Sequence, residues 1–214
     1  MELFTRRYLT TATLATSWLV ATRLARAQAP SSDARVLLNR AYATIQEART
    51  DPQFGGASEL FQRAPAIMVV PQLVKAGFFL GGEGGNGVLL EPTEKGWSDP
   101  LFYTLASGSF GLQIGVEVAE VILFAMSDRA LRAWTREEFS LGAKAGLSIL
   151  VVGANASAAT TANANVDIVA WAKAKGAFAG ITLEGSVIKP RTEWNTAWYG
   201  RPISPAQMLR LAGR

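Results

Sequence analysis

Residues 112–126 read Leu-Gln-Ile-Gly-Val-Glu-Val-Ala-Glu-Val-Ile-Leu-Phe-Ala-Met, and their conformation decides the fold class. The run from Ile114 to Phe124 is long enough for a helix. Its β-branched residues Val116, Val118, Val121 and Ile122, with Gly111 and Gly115 close by, favour a strand. On a strand Glu117 and Glu120 point to opposite faces, so they cannot act as a catalytic carboxylate pair.

The neighbouring segments follow the same pattern. Ile67–Val70 and Gly77–Leu80 are short apolar runs bounded by Pro and Gly. Val88–Leu90 follows a glycine-rich stretch read as the turn of a hairpin. Further strands are expected at Leu101–Ala106, Leu141–Val152, Asp167–Lys173 and Ala177–Ile188. Four helices are expected: one capped by Ser31, Ser32 and Asp33 and ending near Pro52, then Ser58–Ala64, Asp128–Trp134 and Pro205–Leu211. Gly153–Asn165 is nearly all small or polar and reads as a loop. So many consecutive strands do not fit a βαβ alternation. The expected class is α+β: a small antiparallel β-barrel core with three or four helices on its surface, and glycines at the bends.

Thr5-Arg6-Arg7-Tyr8-Leu9, the moderately apolar run to Thr22 and Ala25-Arg26-Ala27 together read as a twin-arginine export signal cut after Ala27. An uncleaved anchor is the alternative reading of this segment. Residues 28–214 form one domain, with its core at about 34–211, and the expected location is the periplasm. The chain of 214 residues carries a formal net charge of +4. Removing residues 1–27 takes away four of the 21 basic residues and one of the 17 acids, leaving +1. No dense basic stripe remains, so nucleic acid is not an expected partner.

The chain has no Cys and no His. Thiolate and imidazole chemistry, with the metal sites built on it, is thereby excluded. Gly82-Glu83-Gly84-Gly85-Asn86-Gly87 matches G-x-G-x-x-G, but a strand pattern follows it where dinucleotide binding needs a helix. No cofactor, metal or catalytic residue is expected. What remains is binding. Lys173, Lys175, Lys189 and Arg191 form the densest cationic group, interleaved with Trp171, Trp194, Trp198 and Tyr199, a composition suited to anionic headgroups. Lys75 and Lys144 are weaker candidates. Arg35, Arg40 and Arg49 on the first helix could face a membrane, although the Ala, Val and Leu around them suit docking on a core.

Several short motifs now fall into a familiar order. Lys75-Ala76-Gly77-Phe78, the glycine run to Gly87-Val88, Gly96-Trp97-Ser98-Asp99-Pro100 and Gly111-Leu112-Gln113-Ile114-Gly115 are followed by Phe139–Gly142. Lys175–Gly180, Leu183–Ser186 and Tyr199-Gly200 complete the series. Together they resemble the SYLF domain family, also called Ysc84-like, here as an exported bacterial member. The resemblance implies a compact β-barrel core with helices on its surface and binding to membrane lipids, phosphoinositides in eukaryotic members; an enzyme is not expected, given no His, no Cys and no carboxylate constellation. Family members often carry a basic residue where this chain has Glu83. The actin connection of eukaryotic relatives is not expected to transfer to an exported protein. The alternative function is that of an envelope protein docking a protein or wall component.

Overall fold

A computed structural model describes residues 32–52, 57–142, 146–153, 166–175, 183 and 185–211. The export-signal reading and most of the loop expected at 153–165 lie outside these residues.

The chain opens with α1 (Ser32–Thr50), which buries Ala34, Leu37, Ala41, Thr44, Ile45 and Ala48 along one stripe. α2 (Ala57–Arg63) follows, and then two long strands dominate the molecule: β1 (Ile67–Leu90) and β4 (Leu101–Ala125). They pair antiparallel from Leu89↔Leu101 to Ile67↔Phe124, with irregularities after Val70 and Gly77. A small ribbon, β2 (Pro92–Thr93) and β3 (Gly96–Trp97), links them. Residues 112–125 are therefore strand. The glycine-rich stretch is not a turn, as its composition suggested: 81–87 lies inside β1, paired with 103–109 of β4.

Beyond β4 come α3 (Asp128–Trp134), β5 (Phe139–Ser140), β6 (Ile149–Gly153), β7 (Ile168–Lys175) and β8 (Val187–Pro190). α4 (Thr192–Tyr199) and α5 (Pro205–Leu211) complete the described chain. Four of the five helices match their sequence signals. α4 was not expected. Of the strand expected at 141–152 only the end is seen, in β6; Leu141, Gly142 and 146–148 are not strand, and 143–145 lie outside the described residues. Only the end of the strand expected at 177–188 is seen, in β8, and 176–182 fall outside the description.

The sheet order is β5-β8-β4-β7-β6, with β1 on the other edge of β4. β8 pairs with Tyr103–Ala106 and β7 with Val118–Ala125, so they occupy opposite ends of β4. All these pairings are antiparallel except β6–β7, which is parallel. The fold is α+β: among the described residues, a coiled half-barrel with five helices around it.

Alternation along the strands sorts two cores. Inward residues include Val70, Leu89, Tyr103, Leu105, Val121 and Leu123, closed by Trp134 of α3. Outward residues such as Val69, Val88, Phe102, Ile122 and Trp171 are covered by α1 and α2. The same alternation explains the glycines. Gly85 and Gly87 face inward, where β1 folds back on itself. A Cβ on Gly85 would stand 2.6 Å from the Gln72 carbonyl oxygen and 2.8 Å from Val70 Cγ1. No described helix is long and apolar enough to cross a membrane.

Candidate functional site

The acidic residues do not form a reaction centre. Glu117 faces the inner core and Glu120 the outer face, as period two requires. Glu83 points inward and accepts from Ser107 Oγ at 2.8 Å and Ser186 Oγ at 3.2 Å. Both oxygens of buried Glu117 lack a hydrogen-bond partner among the described residues. Burial pushes its pKa up; Lys75, its cross-strand partner, pulls it down, and Glu83 pushes it further up. Among the described residues no group of His, Cys, Asp or Glu could hold a metal ion.

The basic residues singled out in the sequence are spread over the sheet. Lys173 on β7 donates from Nζ to Glu47 Oε1 on α1 at 2.5 Å. Its pKa is raised, first by that hydrogen bond. Lys189 on β8 pairs with Glu138 at 2.7 Å, at the other end of β4. Lys75 faces Glu117 inside the half-barrel. The backbone of Lys175 pairs opposite Val118, and its side chain lies outside the described residues. The register thus separates Lys173 from Lys189.

The aromatic residues between them are mostly packing groups. Trp171 is buried in the outer core, and Trp194 and Trp198 meet the Phe102 ring edge-on at 5.8 and 5.3 Å. Tyr199 donates to the Pro100 carbonyl at 2.9 Å. They fasten α4 to the start of β4.

Arg191 is different. It stands at the N-cap of α4, its guanidinium 3.9 Å from the Trp194 ring centroid. Nη1 donates to Asn86 Oδ1 at 2.8 Å. Across a half-open groove of about 510 Å³, Arg40 of α1 donates from Nη1 to Gln72 Oε1 at 2.8 Å. Among the described residues neither guanidinium has a carboxylate at ion-pair distance. Gly84, which faces outward, is part of the groove lining together with Gly85, and Val36, 48% exposed, sits on its α1 side. Asp33 brings one negative charge to the same lining.

Sequence reasoning found Arg191 but set Arg40 aside, because α1 carries a docking stripe. The stripe is real. Arg40 lies off it, and only the partner element shows what it faces.

The groove can therefore present two oriented positive charges and mostly unused N–H donors to an anion. Among the described residues its lining holds one carboxylate, Asp33, and no Ser, Thr, Tyr or Lys.

Comparison with known proteins bears on what such a domain meets. "Protein YSC84" of Saccharomyces cerevisiae is 32% identical over 154 residues, 70% of this chain and 33% of that protein. "LAS seventeen-binding protein 3" of the same species is 31% identical over 160 residues, 73% of this chain and 34% of that protein. "SH3 domain-containing YSC84-like protein 1" of Xenopus laevis is 31% identical over 136 residues, 63% of this chain and 41% of that protein. The chain thus spans about a third of the yeast relatives and two-fifths of the frog one. A family model described as "Las17-binding protein actin regulator" matches residues 106–214, just over half of the chain. The expectation that no actin connection applies is corrected by these matches: the family description and the relatives' names point to actin-related partners, and the description is that of a binding domain, not of a known enzyme family. With its half-barrel, its ordered motifs and this match, the chain belongs to the Ysc84 family, the SYLF domain proteins.

Proposed function

We propose that this chain is a non-catalytic module that lays the Arg40–Arg191 groove against anionic phospholipid headgroups, in the periplasm if residues 1–27 act as an export signal. The observation that carries the reading is the pair of guanidiniums facing one groove with no carboxylate partner among the described residues. Each basic contact at an anionic surface is worth about 1 kcal/mol and is screened by salt. Two such contacts make a weak, salt-sensitive binder. Lys173 and Lys189, each engaged by a carboxylate, contribute less. Lys75 faces Glu117 inside the half-barrel, away from this groove, and Lys175 is left as a secondary contact.

Co-sedimentation of the 214-residue chain with vesicles tests this. Phosphatidylcholine vesicles doped with phosphatidylglycerol should pellet it at low salt, and undoped vesicles should not. Arg40→Gln and Arg191→Gln should each weaken binding about fivefold. Equal binding to both vesicle types would overturn the reading.

A second reading has its own support. The family description and the names of the relatives favour an actin-regulatory protein as the partner. Pelleting with filamentous actin in the absence of lipid would favour it over the first.

A further inference from the structure

The two arginines of the groove are held by carboxamides. Gln72 Oε1 accepts from Arg40, and Asn86 Oδ1 accepts from Arg191 while also accepting from Thr104 Oγ1 at 3.1 Å. Among the described residues four other cations meet acids, Arg63 with Glu59, Arg129 with Asp167, Lys173 with Glu47 and Lys189 with Glu138, while Arg49 stacks on Phe61 and Trp97. A carboxylate in place of either amide would fill the same space and grip the guanidinium more strongly. It would also neutralise it. An amide fixes the direction of the side chain and leaves the charge available to a ligand.

The glycine motif completes the arrangement. Its outward positions, Gly84 and Asn86, lie on the groove side, while Glu83, Gly85 and Gly87 face the interior. A Cβ on Gly84 would meet only the Leu105 carbonyl oxygen, at 3.7 Å, so the absence of a side chain there is not required by packing.

Resting on the headgroup reading, we infer that the groove seats one phosphate ester over Gly84 between Arg40 and Arg191, and that Gln72 and Asn86 are positioning residues that aim these arginines without discharging them. Asp33 on the rim would accept from hydroxyl or ammonium groups of the same ligand. The recognised chemistry is a phosphate ester, whether in a lipid headgroup or free.

The test uses isosteric acids. Gln72→Glu and Asn86→Asp keep both acceptor oxygens, so the thermal melt should be unchanged, yet each should weaken binding to phosphatidylglycerol-doped vesicles about fivefold. Gln72→Ala and Asn86→Ala, which loosen the arginines but keep their charge, should weaken it less. Gly84→Leu should obstruct the groove and reduce binding with the fold intact. A parallel arm titrates inorganic phosphate, and the arm in which the acid variants lose binding names the source. If wild type binds and both acid variants bind equally well, this assignment fails and the headgroup reading survives. If wild type binds neither vesicle nor phosphate, the headgroup reading itself fails.

Discussion

The side chain of Asn195 holds both backbone groups of Phe102. Its Oδ1 accepts from the Phe102 N–H at 2.7 Å and its Nδ2 donates to the Phe102 carbonyl at 3.1 Å. The backbone N–H of Arg191 reaches the same carbonyl at 2.8 Å. β8 ends at Pro190, opposite Tyr103, and the amide of Asn195 takes over the sheet hydrogen bonds one residue further on. This junction places Arg191 at the groove.

Asn195→Ala leaves the buried Phe102 N–H without its acceptor and should lower unfolding stability by about 2–3 kcal/mol. Urea denaturation checks the size. Loss of vesicle binding at temperatures where the variant is still folded would show that the junction also positions Arg191.

Asp167 joins three segments. Almost completely buried, it accepts from Ser127 Oγ at 2.6 Å, from Arg129 Nε and Nη2 at 2.9 Å, and from the Ser148 N–H at 2.9 Å and Oγ at 3.0 Å. Burial would raise its pKa, but the bonds from Ser127, Ser148 and Arg129 prevail and hold it at about 2, against 3.8 ordinarily. A depressed carboxylate stabilises the fold fully above its unfolded pKa and loses that contribution as pH falls through the folded one. The contribution is about 2 kcal/mol at neutral pH and fades between about pH 4 and 2. Asp167→Asn should lose it at pH 7 and show a flatter acid limb in pH-dependent melts.

Gly85 and Gly84 are neighbours with opposite tolerance. Gly85→Ala forces a methyl into the Gln72 carbonyl and Val70, and should cost about 1–3 kcal/mol. Gly84→Ala points outward, with its nearest contact at 3.7 Å, and should melt within a degree or two of wild type. Thermal melts of the two variants side by side decide it.

Glu117 runs opposite in sign to Asp167. Its raised pKa means that the unfolded chain ionises before the folded one, so its penalty is absent at low pH and grows as pH rises through the ordinary carboxylate range. Glu117→Met should unfold at higher urea than wild type at pH 7, and the gap should narrow at pH 4. An unchanged gap would show that ionisation is not the cause.

Much of this fold was readable in local signals. Ser127 caps α3 through its hydroxyl, accepting from the Ala130 N–H at 3.2 Å, and Pro205 opens α5. The β-branched run of β4 declared itself. The glycines misled because a turn and a close backbone approach both demand a missing side chain, and only the fold-back of β1 distinguishes them. α4 was invisible for another reason. Its Trp-, Thr- and Tyr-rich sequence has modest helix propensity, and the contact that settles it, Asn195 with Phe102, spans 93 residues. The same limit applies to the site. Lys173 and Lys189 are close in sequence yet belong to opposite ends of β4, whereas Arg40 and Arg191 are far apart in sequence and share a groove.

The long partnership of β1 with β4, interrupted only after Val70 and Gly77, has a consequence for how the molecule comes apart. β7 and β6 hang on one end of that ladder and β8 and β5 on the other, so both ends are tied together through β1 and β4. The ribbon at 92–97 closes the ladder locally, and each further rung enlarges the loop only slightly. Assembly should run as a zipper from Leu89–Leu101 towards Ile67–Phe124, and loss of structure should be all-or-none, with amide exchange slowest in the rungs nearest the ribbon.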